Sequence, residues 1–103
     1  MSTLLVELRT VAAQAIEVTE DTLIVELIDG RTISVPLAWY PRLLHGSSAE
    51  RTNWRLIGNG EGIHWVDLDE DISVQHLLLG KASQESQKSL NRWLQLRAQE
   101  KTN

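Results

Sequence analysis

Three short segments near the start of the chain alternate apolar and polar residues, and this period of two predicts antiparallel strands. The segments are 15–18, 22–28 and 31–35. Asp29 and Gly30 lie between the second and third segments and are typical of a hairpin turn. A two-residue turn at these positions would place apolar side chains opposite polar ones across the hairpin.

The register of this hairpin follows from the same side chains. A three-residue loop, Ile28–Gly30, pairs Val25 with Ile33 and Leu23 with Val35. All four apolar side chains then share one face of the sheet, and the glycine of the loop takes the left-handed conformation. We therefore predict the three-residue loop.

A second hairpin is predicted farther along the chain. Its parts are strands at 53–57 and 63–68, joined by the glycine-rich loop 58–62. Trp54 and Leu56 share one face in this interpretation, and Ile63 and Trp65 share the face opposite them. The two tryptophans are accordingly expected in the core of the sheet.

Short helices are indicated by their end signals. Ser47 and Glu50 have the spacing of a capping box. Ser73 is a typical N-cap for a helix over 72–80. A polar link over 81–87 then leads to a last helix, whose narrow apolar stripe consists of Leu90, Trp93 and Leu94.

These elements predict an α+β fold: a small antiparallel sheet built from two β-hairpins and covered by short helices and a C-terminal helix. The predicted organisation is an N-terminal helix or arm at 1–14, a core domain at 15–80, and a polar link with the C-terminal helix at 81–103.

Composition narrows the functional classes. The 103 residues include no cysteine, so disulfides, thiolate nucleophiles and cysteine-bound metals are excluded, and a reducing cytoplasm is expected. No apolar run is long enough for a membrane helix. The net charge of −4 argues against non-specific binding to nucleic acid.

Five ordered blocks of the sequence resemble a known family. They are Leu-Ile-Asp-Gly-Arg (27–31), Val-Pro-Leu-Ala-Trp-Tyr-Pro-Arg-Leu (35–43), Gly-Glu-Gly-Ile-His-Trp (60–65), Leu-Asp-Glu-Asp-Ile-Ser-Val (68–74) and Leu-Leu-Gly (78–80). The family is that of domain of unknown function 2442. The resemblance implies a small bacterial α+β protein without an established biochemical role, encoded beside another small protein and acting as its antitoxin-like partner.

An acidic run precedes the predicted helix at 72–80. Its carboxylates are Asp67, Asp69, Glu70 and Asp71. Their alternate spacing resembles the start of a calcium-binding loop, but Ile72 stands where that loop needs glycine and Leu78 where it needs glutamate. We therefore predict no metal here. The run is interpreted as a solvated strand end that favours the following helix N-terminus, or as a partner-binding surface.

His64 has Asp67 three residues on, and a histidine–carboxylate pair of this kind can orient an imidazole for proton transfer. The sequence offers no matching nucleophile, because the serines at 47–48 lack the Gly-x-Ser-x-Gly elbow. His45 and His76 lie in separate elements without metal-ligand spacing. A hydrogen-bonded structural histidine is the favoured interpretation, and no catalytic residue, cofactor or metal is predicted.

Bulky side chains and a cation cluster in the non-periodic segment formed by Trp39, Tyr40, Pro41 and Arg42. Core packing explains such a cluster, but tryptophan, tyrosine and arginine are also enriched in interface hot spots. The segment is therefore a candidate binding site for a protein partner. The same site includes His64 and the acidic run.

The function predicted from these features is a non-catalytic protein-interaction module. Its expected partner is a second copy of the chain, as in a homodimer, or a small neighbouring gene product. The first alternative is a small-molecule-binding protein or enzyme that uses His64 and Asp67. The second is a nucleic-acid-binding module that uses Trp39, Tyr40 and the arginines of 31–58, which the adjacent acidic run disfavours.

Overall fold

The structure is a computed structural model that describes residues 11–102, with side chains as far as residue 100. In chain order the elements are β1 (Ala13–Val18), β2 (Thr22–Leu27), β3 (Thr32–Pro36), a 3₁₀ turn (Leu37–Trp39), α1 (Pro41–Leu44), α2 (Ser48–Thr52), β4 (Trp54–Ile57), a 3₁₀ turn (Gly58–Gly60), β5 (Gly62–Trp65), β6 (Glu70–Ser73), α3 (Val74–Leu78) and α4 (Gln87–Thr102).

The strands form two three-stranded antiparallel sheets, ordered β1-β2-β3 and β4-β5-β6. The α+β class predicted from the sequence is confirmed. Each predicted hairpin lies in a sheet of its own, and the second sheet includes β6, a strand that the sequence pattern did not indicate. The helices are short except for α4, which has 16 residues.

The register predicted for the first hairpin is confirmed. Val25 lies opposite Ile33 and Leu23 opposite Val35. In the second sheet, Trp54 lies opposite Trp65 and Leu56 opposite Ile63. Both registers place apolar side chains on one face, and that face packs into the core.

The helix predicted over 72–80 begins two residues later, because its first residues belong to β6. Ile72 pairs with Ile63 of β5, and its side chain is buried. Ser73 is the N-cap of α3, as predicted, and its hydroxyl accepts a hydrogen bond of 3.3 Å from the backbone N–H of His76. The capping box of α2 is also confirmed, with Ser47 and Glu50 bonded reciprocally.

The first strand is longer than its pattern suggested. It begins at Ala13, and a bulge between Ala13 and Ala15 interrupts the period of two. Residues 1–10 of the predicted N-terminal helix or arm lie outside the described residues. Val11–Ala13, which that prediction also included, are buried in the core.

The two sheets meet at the 3₁₀ turn that precedes β5. Gly60 has φ +86°, and a Cβ atom there would lie 2.8 Å from the carbonyl oxygen of Ala13 and 3.1 Å from the Cβ of Ala12. A side chain at this position would therefore be strained in its backbone and would also clash with β1. The glycine lets the loop of one sheet pack directly on the first strand of the other.

Candidate functional site

A polar groove of about 430 Å³ lies beside β6. Its walls come from Tyr40 and Arg42, from Glu70–Ser73 of β6, and from the link segment Lys81–Glu85. The groove brings together part of the aromatic–arginine segment and part of the acidic run. Of the predicted site residues, Tyr40, Arg42, Asp69, Glu70 and Asp71 line it.

Tyr40 forms the floor of the groove. Its ring is buried in the core, and its hydroxyl donates a hydrogen bond of 2.8 Å to the carbonyl oxygen of Lys81. Burial raises the pKa of the Tyr40 hydroxyl, and the charge of Glu70 raises it further. The backbone N–H of Ser83 donates to the carbonyl oxygen of Trp39 at 3.0 Å. These two bonds hold the link segment against the start of α1.

Each guanidinium nitrogen of Arg42 has a hydrogen-bond partner. Its Nη2 lies 2.6 Å from Oε2 of Glu85, and its Nη1 donates to the carbonyl oxygens of Leu68 and Asp69 at 3.2 and 3.3 Å. Hydrogen bonding to Glu85 raises the pKa of Arg42, and the same bond lowers the pKa of Glu85. The guanidinium therefore fixes the turn before β6 and neutralises one carboxylate of the groove.

Glu70 is in a different position. The register places it opposite Trp65, on the core-facing side of the sheet, so its carboxylate is half-buried at the edge of the core. Burial raises the pKa of Glu70 to about 7. The charge of Arg42 acts in the opposite direction, and the charges of Glu85 and Asp71 raise the pKa by smaller amounts. None of the side chains that the structure describes donates a hydrogen bond to this carboxylate.

The charges of the groove do not balance. Four carboxylates line it, from Asp69, Glu70, Asp71 and Glu85, whereas its permanent cations are Arg42 and Lys81. Arg42 is already paired with Glu85. An acidic surplus therefore remains along β6, and it includes the half-buried carboxylate of Glu70, to which no described side chain donates a hydrogen bond.

The predicted pairing of His64 with Asp67 is wrong. Nδ1 of His64 lies 2.5 Å from Oδ1 of Asp71, which is its cross-strand neighbour, and Asp67 instead accepts a hydrogen bond of 2.9 Å from Nδ2 of Asn53. β5 ends at Trp65, so the following turn carries Asp67 away and β6 brings Asp71 back beside the histidine.

The remaining predicted site residues lie outside the groove lining. Trp39 is half-buried and packs against the core, and Pro41 is the first residue of α1. The core interpretation of the aromatic cluster therefore describes Trp39 and the buried ring of Tyr40, whereas both Tyr40 and Arg42 line the groove. Trp65 is fully buried, and its indole N–H donates to the carbonyl oxygen of Arg51 at 3.0 Å.

Helix α4 is attached to the domain by an arrangement that sequence reasoning missed. Two guanidinium groups lie over the ring of Trp93 in cation–π contacts. The distance from the ring centroid to the guanidinium carbon is 5.0 Å for Arg42 and 4.6 Å for Arg97. Arg97 in turn makes two hydrogen bonds to Glu50, of 2.8 and 2.9 Å. Hydrogen bonding to Arg97 lowers the pKa of Glu50 to about 2. The spacing of Trp93 and Arg97 by four residues is the one sequence signal for this contact.

The described residues contain no cluster of three or more histidine or carboxylate side chains arranged to hold a metal ion. Within residues 11–102, no helix combines the length and the apolar character that a membrane span requires.

The architecture is that of a small α+β protein with two three-stranded sheets and a polar groove along the edge of the second. The chain belongs to the family described as protein of unknown function (DUF2442), whose family model matches residues 13–83. This confirms the resemblance seen in the five sequence blocks. The matched region includes β6 and the link as far as Ser83.

The fold is also similar to a crystal structure of a protein of unknown function from Rhodospirillum rubrum. The two chains are 26% identical, with a TM-score of 0.63, and the match covers 73% of this chain and 93% of that chain. No curated protein matches the chain. The comparisons therefore establish family and fold and name no activity.

Proposed function

We propose that this protein is a non-catalytic protein-interaction module whose groove receives a basic segment of a protein partner. The observation that carries the proposal is Glu70, a half-buried carboxylate that no described side chain supplies with a hydrogen bond. A lysine or arginine from a partner would supply both the charge and the donors that this carboxylate lacks. Charge-assisted hydrogen bonds of this kind are about twice as strong as neutral ones.

The acidic surplus supports a basic partner. Asp69 and Asp71 flank Glu70, and both are exposed, so they favour the approach of a cation before contact is made. The same surplus repels phosphate groups and disfavours the nucleic-acid alternative.

The state of the hydroxyl groups supports a binding role over a catalytic one. The Ser73 hydroxyl caps α3, and the Ser89 hydroxyl donates to Oε2 of Glu85 at 2.7 Å. Neither hydroxyl is paired with a histidine in the manner of an activated nucleophile. His64 is held by Asp71, and the enzyme alternative that paired it with Asp67 lacks its predicted geometry.

The partner we propose is a second copy of the chain or a small protein encoded alongside it. An antitoxin-like role, in which the groove covers a basic surface of that neighbour, is the more specific form of the proposal. We also place the protein in the cytoplasm, in line with its lack of cysteine.

The test is a binding measurement with charge-matched variants. The double variant Asp69→Asn/Glu70→Gln removes two carboxylates from the groove, and the control Glu17→Gln/Glu20→Gln removes two from outside it. Binding to the co-produced neighbouring protein is measured by calorimetry, and self-association by light scattering. We expect the groove variant to weaken the interaction by about tenfold or more and the control to leave it within about twofold.

Two results would count against this proposal. One is a groove variant that binds as tightly as the unmodified protein. The other is a protein that remains monomeric and also fails to bind its neighbour.

A further inference from the structure

β6 is an edge strand of its sheet. It pairs with β5 on one side, and among the residues that the structure describes no strand lies on its other side. Edge strands present backbone groups that can pair with another chain.

The alternation of hydrogen-bonded pairs between β5 and β6 shows which backbone groups of β6 point away from β5. The N–H of Val74 donates to the carbonyl oxygen of Glu61 at 3.0 Å. Because hydrogen-bonded pairs alternate along an antiparallel ladder, Glu70 and Ile72 face β5 with their backbone groups. Asp71 and Ser73 direct theirs away from it. Outside the sheet ladder, no backbone group of residues 11–102 bonds to the N–H or the C=O of Asp71.

The groove runs along this edge. All four consecutive residues of β6, Glu70–Ser73, line it. Successive side chains of a strand point to opposite faces, so the side chains of alternate residues line a cavity on one face. A cavity lined by every residue of the strand is consistent with an opening at its outer edge, where a further strand would pair.

The opposite wall of the groove is held away from β6. The link segment Lys81–Glu85 has no regular structure, and it is bonded to α3 and to the region of α1. The N–H of Lys81 donates to His76, and the N–H of Ser83 donates to Trp39. Lys81 accepts from the Tyr40 hydroxyl, and Glu85 accepts from Arg42. The segment that could have covered the edge is therefore anchored elsewhere. The edge and the acidic surplus share one open space.

We propose that the groove binds an extended peptide segment of the partner, which adds to the second sheet as a fourth strand beside β6 and presents a lysine or arginine to Glu70. This inference rests on the proposed function for the basic character of the partner and adds the mode of binding. Main-chain bonds to Asp71 and Ser73 supply affinity, and the alternate side chain that faces Glu70 supplies specificity. Four residues of edge strand span about 13 Å, so the contact involves three or four residues of the peptide.

The position of Glu70 fits this arrangement. Glu70 lies on the core-facing side of β6, and the backbone N–H of Asp71 lies close enough to its carboxylate to lower its pKa. An incoming cation draws the carboxylate to itself and leaves the Asp71 N–H for the carbonyl oxygen of the added strand. Binding of the basic side chain to Glu70 and formation of the backbone hydrogen bond from Asp71 are thereby coupled.

The first experiment uses alternating peptides as probes. The peptide Ac-(Lys-Val)₃-NH₂ is compared with Ac-(Glu-Val)₃-NH₂ and with free lysine amide, and amide hydrogen exchange is followed by NMR. We expect the lysine peptide alone to slow exchange at Asp71 and Ser73 by about tenfold or more.

The second experiment removes a single backbone donor. Asp71→Pro and Asp71→Asn both remove the charge, but the proline also removes the outward N–H, which an edge strand tolerates. We expect the proline variant to bind the lysine peptide about tenfold or more weakly than the asparagine variant, which has the same charge. Should the proline variant not fold, the exchange measurement on the unmodified protein decides.

The outcomes separate this inference from the proposed function. Equal binding of the lysine peptide and of lysine amide, without protection at Asp71 and Ser73, overturns strand addition and leaves a cation-binding groove. Absence of binding by the lysine peptide also overturns strand addition. The proposed function is decided separately, by the variants measured against the neighbouring protein and against the second copy.

Discussion

Glu50 and Glu70 are both half-buried glutamates with an arginine nearby, yet their carboxyl groups behave in opposite ways. Arg97 makes two hydrogen bonds to Glu50, and the pKa of Glu50 falls to about 2. Arg42 acts on Glu70 only through its charge, because its hydrogen bonds go to Glu85 and to backbone carbonyls, and the pKa of Glu70 rises to about 7. The contrast shows two opposing effects: burial without a side-chain donor raises the pKa of Glu70, whereas two hydrogen bonds from an arginine lower the pKa of Glu50.

The two regions therefore have different roles. The contact between Glu50 and Arg97 is complete within the chain and attaches α4 to the domain. In the groove, none of the described side chains donates a hydrogen bond to Glu70. We propose that the partner supplies this donor. The first supports structure, and we propose that the second supports recognition.

Trp93 links the two regions, and removing it should have the largest effect. Its ring contacts the arginine that serves Glu50 and also the arginine at the groove. We expect Trp93→Ala to lower the free energy of unfolding by about 2–4 kcal/mol, since a partly buried tryptophan and two cation–π contacts are lost. Urea denaturation measures the change. Trp93→Phe keeps a stacking ring and should lose less; equal losses would contradict the role of the ring.

Glu70→Gln tests the groove through its pH dependence. The folded pKa of about 7 lies above the ordinary value of 4.5, so folding favours the protonated carboxyl and the stability contribution of this group falls as the pH rises from 4.5 to 7. The glutamine variant should be more stable than the unmodified protein at pH 8, by about 1–3 kcal/mol. At pH 4.5 and below, the difference should disappear. A variant that is less stable at pH 8 would show that the ionised carboxylate has a donor after all.

Glu50 and Arg97 should give the opposite pH dependence. The pKa of Glu50 lies below its ordinary value of 4.5, so the stability that this carboxylate adds is present above pH 4.5 and is lost as the pH falls towards 2. A double-mutant cycle with Glu50→Gln and Arg97→Gln should yield a coupling of about 1 kcal/mol at pH 7. A coupling that is unchanged at pH 2.5 would contradict the ionic character of the contact.

The pair of Asp29 and Arg31 provides the smallest effect. The distance between Asp29 and Arg31 is 2.7 Å, which is as short as the 2.8 Å between Glu50 and Arg97. Both side chains are nevertheless about half exposed, Asp29 at 42% and Arg31 at 55%. Water screens such a pair, so Asp29→Asn should leave the melting temperature unchanged within error. A clear loss would mean that a short ion pair stabilises the protein even where both side chains are exposed.

The sequence was sufficient for the hairpins and for the helix caps, because those features are local. Asp29 and Gly30 restrict the loop, and the alternation of apolar residues then permits one register. The capping serines 47 and 73 likewise act within one turn. Each of these predictions needed only neighbours in the chain.

The groove could not be predicted in the same way, because it depends on contacts between distant segments. The four residues of β6 are mostly polar and acquire their strand conformation by pairing with β5. The face on which Glu70 lies depends on the turn at 66–69. The sequence pattern did not indicate this turn, and it therefore pointed to Asp67 and not to Asp71 as the carboxylate beside His64. The ring of Trp93 meets Arg42 only once α4 folds back on the domain.

The packing of Gly60 against Ala12 and Ala13 limits how far the chain can be shortened. The carbonyl oxygen of Ala12 also accepts a hydrogen bond of 2.9 Å from the N–H of Ile28. A deletion that started the protein at residue 14 would remove the surface on which the loop of the second sheet rests. Minimal versions prepared for crystallisation or fusion should therefore retain Val11.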